Sequence, residues 1–231
     1  MNFRAVLFDW DDTLAAYRPH RYETVEAVLH AHGVPIDRRQ LHRAWSVADD
    51  PTVAGRDAGF WERFGRELSL EDPRVLAALD EAFTRRDLVK RLTIFEDALA
   101  LLEHLTARAI PAGILSNNVE AGRFADELGV LARFRAVVTP REAGAGKPEP
   151  AIFHYALERL GTRPEETLYV GDTYEHDVLG ARAAGLPVVL VDRLGLCDAT
   201  DCTRLESLAG VVADAGFVAS PVTGIARCHP E

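Results

Sequence analysis

Apolar positions along this chain follow two different rhythms, and the change between them comes near residue 95. From Phe95 onward, short apolar runs alternate with longer amphipathic stretches. The runs Ala112-Gly113-Ile114-Leu115, Ala136-Val137-Val138, Thr167-Leu168-Tyr169-Val170 and Val188-Val189-Leu190-Val191 predict strands. Between them the spacing predicts helices at Glu96 to Arg108, Glu120 to Leu128, Ala151 to Leu160 and His176 to Ala184. Ahead of all of these, Ala5-Val6-Leu7-Phe8 has no polar member and predicts a strand buried on both faces. Strand–helix alternation of this kind implies right-handed crossovers and a parallel sheet covered by helices on both sides. After Asp192 the pattern offers only a short helix near Leu205 to Leu208.

Residues 16–90 behave differently. Apolar positions recur there at helical spacing, predicting helices at Arg18 to His32, Asp37 to Ala48, Asp57 to Leu68 and Asp72 to Arg86, with no strand among them. Trp45, Phe60, Trp61 and Phe64 are expected to form this region's own core. The predicted organisation is an α/β Rossmann-like core, residues 1–15 and 91–231, interrupted by an all-helical insertion at 16–90.

Composition narrows the classes. A net charge of −10 without a basic run argues against a surface that tracks nucleic-acid phosphates. No apolar run approaches the roughly 20 residues that span a bilayer, and the acidic cluster near the start is unlike a signal peptide. Three cysteines, Cys197, Cys202 and Cys228, lack CxxC spacing, so neither a disulfide framework nor a zinc site is expected. A reducing, cytoplasmic setting fits that usage. The insertion holds 12 basic and 13 acidic residues against 14 and 23 elsewhere, so it is relatively richer in cations. Among those cations, Arg56 in the Gly55-Arg56-Asp57 turn is a candidate to face an anionic substrate.

The candidate chemistry gathers at the predicted strand ends. Asp9, Asp11 and Asp12 follow the first strand directly, and carboxylates beside a buried strand are costly unless paired or bound to a metal. Mg2+ is the natural partner for such hard oxygen ligands. Ser116 and Asn117 follow the second core strand, Lys147 lies in the loop after the third, and Asp172 and Asp177 follow the fourth. In an open parallel sheet, that edge is where ligands bind. Lys147 is one of only two lysines, the other being Lys90, in a chain that otherwise uses arginine. A compact ammonium is therefore the expected requirement at that position.

Together, Asp9-Trp10-Asp11-Asp12-Thr13, Ser116-Asn117, Lys147 and Gly171-Asp172-Thr173-Tyr174-Glu175-His176-Asp177 resemble the four motifs of the haloacid dehalogenase superfamily. The likeness is to its phosphatase branch, with a helical cap inserted after the first motif. That resemblance implies an Mg2+-dependent phosphatase acting on a small phosphorylated metabolite, as a monomer or homodimer. It assigns Asp9 as the nucleophile, Asp11 as general acid and base, and Lys147 as the cation between Asp9 and the phosphate. It gives Ser116 and Asn117 to phosphate binding. The metal would be held by Asp9, the Asp11 carbonyl and Asp172, with Asp177 and Thr13 behind them. A dehalogenase of this type would not need Asp11, because halide leaves without a proton. A phosphomutase on a sugar phosphate uses the same groups, and a phospho-acceptor signalling module shares several of them.

Overall fold

The computed structural model describes residues 3–49, 57–89 and 91–214. Its chain divides into two compact units, one holding Met1–Ala15 and Ile94–Glu231, the other Ala16–Thr93.

The first strand, β1 (Ala5–Phe8), has all four side chains fully buried, as its unbroken apolar run requires. The second unit begins within β2 (Ala15–Arg18) and returns through β3 (Arg91–Ile94), which pair as a two-stranded ribbon. Neither strand is predicted by the hydrophobic pattern. Ala15-Ala16-Tyr17-Arg18 has one β-former, Tyr17, and no alternation, and its partner lies more than seventy residues away. Between them run α1 (Arg21–Ala31), α2 (Arg38–Ala48), α3 (Phe60–Glu67) and α4 (Pro73–Val89). Capping boxes, His20 with Glu23 and Asp37 with Gln40, set where α1 and α2 begin. The interior of this unit is aromatic. Trp45 lies 4.9 Å from Phe60, 5.4 Å from Phe83 and 6.1 Å from Phe64 between ring centroids. Such pairs add about 0.5–1.5 kcal/mol each beyond the area they bury. The Trp61 indole N–H is satisfied by Asp80 Oδ1 at 2.9 Å.

The first unit continues with α5 (Glu96–Ala107), β4 (Ala112–Leu115), α6 (Ala121–Glu127) and β5 (Phe134–Val138). There follow α7 (Pro140–Ala143), α8 (Pro150–Leu160), β6 (Thr167–Gly171), α9 (Leu179–Ala183) and β7 (Val188–Val191). It closes with β8 (Thr203–Leu205) and α10 (Ala209–Asp214). The pattern after Asp192 predicted a helix at Leu205 to Leu208. Instead Leu205 is buried as the end of a sheet strand, and the helix starts four residues later. Three-residue apolar patterns cannot distinguish the two periods, so pairing with β7 decides.

The sheet order is β5-β4-β1-β6-β7-β8, and every pairing is parallel. The chain leaves β1 to build β4 and β5 on one side, then returns to build β6 to β8 on the other. That reversal places a topological switch point beside β1, and a crevice at the carboxyl ends of β4, β1 and β6 follows from it. Among the described residues, no helix is long and apolar enough to cross a membrane.

Candidate active site

Asp9 stays in the sheet by its backbone, donating its N–H to the Val170 carbonyl of β6 at 2.8 Å. Its side chain is almost fully buried, and Oδ1 accepts from Lys147 Nζ at 2.6 Å. The same ammonium donates to Asp177 Oδ1 at 2.6 Å and to the Tyr169 hydroxyl at 3.2 Å. All three protons of the lysine are thus placed on the residue after β1, on β6 and on the turn after β6.

Two devices hold Lys147 there. Asn117, after β4, clamps its peptide: Lys147 N donates to Asn117 Oδ1 at 2.7 Å, and Asn117 Nδ2 donates to the Lys147 carbonyl at 3.0 Å. The loop reaches this point through Gly144, which ends α7 in the left-handed conformation at φ 69°.

Asp177 is placed by a π-helical turn, Tyr174–Val178, where the pattern predicted a regular helix from His176. Both Asp177 N and Val178 N bond the Thr173 carbonyl, the second across five residues. The turn brings the Asp177 carboxylate against Gly171 so closely that a Cβ there would lie 2.3 Å from its Cγ. Glycine at 171 is therefore a steric requirement. Asp177 Oδ1 also accepts from the Tyr169 hydroxyl at 2.7 Å, and Oδ2 accepts from Thr173 N at 2.9 Å.

These groups govern one another's ionisation. Burial pushes the Asp9 carboxyl up to about 7; Lys147 opposes the rise, while Asp177 and Asp11 add to it. Burial would also raise Asp177, but the Lys147 charge and hydrogen bond, with Tyr169 and Thr173, bring it below its ordinary value. Burial would lower Lys147, and Asp177 and Asp9 more than offset that, so it remains an ammonium. Desolvation first, then the neighbouring carboxylates, keeps Tyr169 a neutral donor.

Asp9, Asp172 and Asp177 each offer an oxygen within 4.8 Å of the others. Three carboxylates around one ammonium leave excess negative charge, and a hard divalent cation is what this donor set suits. Three hydrogen bonds already occupy Asp177, which leaves Asp9 and half-buried Asp172 with the greater ligating capacity.

Asp11 lies in the turn after β1. Its Oδ2 accepts from Asn118 Nδ2 at 2.9 Å. Asp12 follows at φ 58°, a left-handed conformation that Asp, Asn and Gly tolerate best. Arg193, beyond β7, spans this turn, with Nε 3.2 Å from the Asp12 carbonyl and Nη2 2.8 Å from that of Thr13. The rest of its guanidinium pairs with both Asp97 oxygens at 2.8 and 3.0 Å and lies 3.8 Å from the Phe95 ring centroid. The Thr13 hydroxyl is buried without a hydrogen-bond partner among the described residues. Ser116 is buried at the end of β4, its Oγ accepting from Asn118 N at 3.2 Å.

Of the residues singled out in the sequence, Asp9, Asp11, Ser116, Asn117, Lys147, Asp172 and Asp177 meet at one sheet edge, and Thr13 follows in the turn. Arg56 lies outside the described residues. Asn118, Tyr169 and Arg193 were not singled out. Only Tyr169 carried a signal, since a tyrosine within a wholly buried strand needs a partner for its hydroxyl.

Residues 3–185 match the family of haloacid dehalogenase-like hydrolases. The chain is similar to a phosphoserine phosphatase of Thermus thermophilus, 33% identical over 73% of this chain and 70% of that one. It is also similar to a ribulose-1,5-bisphosphate 5-phosphatase of Halopiger xanaduensis, 29% identical over 85% and 88%. Among solved structures, a HAD phosphatase from Thermococcus onnurineus shares the fold with a TM-score of 0.61. That comparison covers 94% of this chain and 98% of the other at 24% identity.

Proposed function

The chain belongs to the haloacid dehalogenase-like hydrolases and is a phosphomonoester hydrolase, and from that premise we propose that it cleaves a small phosphorylated metabolite, with Mg2+, through an aspartyl-phosphate on Asp9. The observation that carries this reading is the buried cluster in which Lys147 bridges Asp9 and Asp177 at 2.6 Å each. An anionic nucleophile cannot approach an anionic phosphoryl group unless cations offset the repulsion. Lys147 supplies one such charge.

In the reaction, an Asp9 oxygen bonds to phosphorus as the bond to the ester oxygen breaks, and Asp11 gives its proton to the departing alkoxide. Asp11 then takes a proton from the water that attacks phosphorus, the bond to Asp9 breaks, and phosphate leaves. The Ser116 hydroxyl and the Asn117 backbone N–H hold phosphoryl oxygens. The Asn117 side chain is already committed to the Lys147 peptide, so its contribution to phosphate binding is through the backbone. Asp9, Asp172 and the Asp11 carbonyl would hold Mg2+, which when bound neutralises charge developing on the phosphoryl oxygens. Residues 16–90, inserted between the first and second motifs, are the cap that selects the substrate. The names of the relatives point to chemically different metabolites that share a phosphomonoester, so the substrate is proposed at that level.

The test is turnover of p-nitrophenyl phosphate and a panel of metabolite phosphomonoesters with and without Mg2+. Parent protein should hydrolyse at least one with absolute Mg2+ dependence. Asp9→Asn should abolish turnover while keeping the circular-dichroism spectrum. No Mg2+-dependent hydrolysis by the parent would overturn the reading, and substantial activity in Asp9→Asn would overturn the nucleophile.

A further inference from the structure

Asn118 is held at four points. Its N–H donates to Ser116 Oγ at 3.2 Å, and its carbonyl accepts from Ala121 N at 3.0 Å where α6 begins. In the side chain, Oδ1 accepts from Glu120 N at 3.1 Å and Nδ2 donates to Asp11 Oδ2 at 2.9 Å. The Glu120 N–H can only donate, so it fixes which end of the amide is oxygen. The end facing Asp11 is therefore the N–H2 end, and Asn118 can offer Asp11 nothing but a donor.

From this, and resting on the reading above, we propose that Asn118 is a positioning residue for Asp11. It fixes the rotamer of the Asp11 carboxyl and ties it to Ser116, so that phosphate binding and proton delivery are set by one rigid unit. The amide hydrogen on Oδ2 also separates the two oxygens of Asp11. An O–H at Oδ2 would face an N–H, so Oδ2 stays the hydrogen-bond acceptor. When the ester bond breaks, Asp11 gives its proton to the leaving alkoxide, and the carboxylate left behind keeps its Oδ2 contact. The residues are 107 apart in sequence. Their contact exists because the ends of β1 and β4 are adjacent in the sheet.

Asn118→Ser tests this, because serine still caps the turn before α6 but is too short to reach Asp11. The substrates are p-nitrophenyl phosphate, whose leaving group needs little protonation, and whichever alkyl phosphomonoester the parent hydrolyses. Asn118→Ser should lose about tenfold to a hundredfold in kcat/KM on the alkyl ester and no more than about threefold on p-nitrophenyl phosphate. The decisive measurement is a double-mutant cycle with Asp11→Asn. Once Asp11 cannot deliver a proton, Asn118→Ser should cost nothing further on the alkyl ester. If Asn118→Ser melts much lower than the parent, Asn118→Asp takes its place; it keeps the acceptor for Glu120 and should show the same leaving-group discrimination. Equal losses on both substrates, or losses that multiply in the double variant, would overturn the proposal while leaving the phosphatase reading intact. A parent inactive on every ester would instead overturn that reading.

Discussion

Lys147 shows how much a single side chain can be asked to do. Its rarity in an arginine-rich chain predicted a need for a compact cation, and its surroundings give the reason. The ammonium sits between two carboxylates and a tyrosine hydroxyl, with only 3% of the residue exposed. A planar guanidinium is longer and donates in a fork, so Lys147→Arg must displace Asp9 or Asp177. Displacement by about an ångström costs on the order of a hundredfold in rate, and that is the loss of kcat/KM expected. Burial adds a consequence for stability. Lys147→Met would leave two buried carboxylates without their cation, a loss of about 3–5 kcal/mol. Chemical denaturation of the two variants, beside turnover, checks both statements. Asn118 and Tyr169 lie at the same scale. Tyr169 announces only that its hydroxyl needs a partner, and the task of each becomes legible through the polar atom it faces.

Among the elements, the turn after β1 depends on segments far along the chain. Arg193 bonds the Asp12 and Thr13 carbonyls, and Asp97 at the start of α5 holds Arg193 while accepting from Leu208 N at 2.8 Å. The left-handed Asp12 is thus braced from the end of β7, and α5 and the approach to α10 are braced with it. Hydrogen bonds to charged groups contribute about 1.5–3 kcal/mol each. Arg193→Ala is therefore expected to lower the melting temperature by about 5–10 °C in a chain of this length, as thermal unfolding would show. Arg193→Lys should recover less than half of that, because one ammonium nitrogen cannot make the four hydrogen bonds that the guanidinium makes from three nitrogens. The π-helical turn after β6 is a second such element. Its purpose is to bring Asp177 onto Gly171, and no periodicity in Tyr174–Val178 announces it.

For the molecule as a whole, the proposed cation at the carboxylate cluster would couple metal binding to stability. Asp9 has its ordinary value of 3.8 when unfolded and about 7 when folded. A raised carboxylate stabilises the fold below the lower value, and that contribution is lost as pH rises through the upper one. Asp177 is shifted the other way, so its contribution is lost only on acidification. Metal-free protein should therefore become less stable between about pH 4 and about pH 7 on account of Asp9. A divalent cation favours the ionised carboxylates and reverses that loss. Saturating Mg2+ is expected to raise the melting temperature more at about pH 8 than at about pH 5.5, and chelation should remove the difference. A gain that is the same at both values would show that the cation does not act through Asp9.

What the sequence determines here is whatever its chemistry makes expensive to place elsewhere. An unbroken apolar run must be interior, and carboxylates directly behind one demand a cation. Strands alternating with helices leave a parallel sheet with one ligand-binding edge, so β1, β4, β5, β6 and β7 and the residues at their ends are readable in order. Tertiary structure decides what depends on partners. The strands β2 and β3 exist because they meet each other, and β8 exists because β7 offers an open edge. Asn118, Tyr169 and Arg193 acquire their tasks from residues 107, 22 and about 180 positions away. Their side chains are common donors that fit many settings. The packing of the strands, and of the turns between them, determines which partner each one meets.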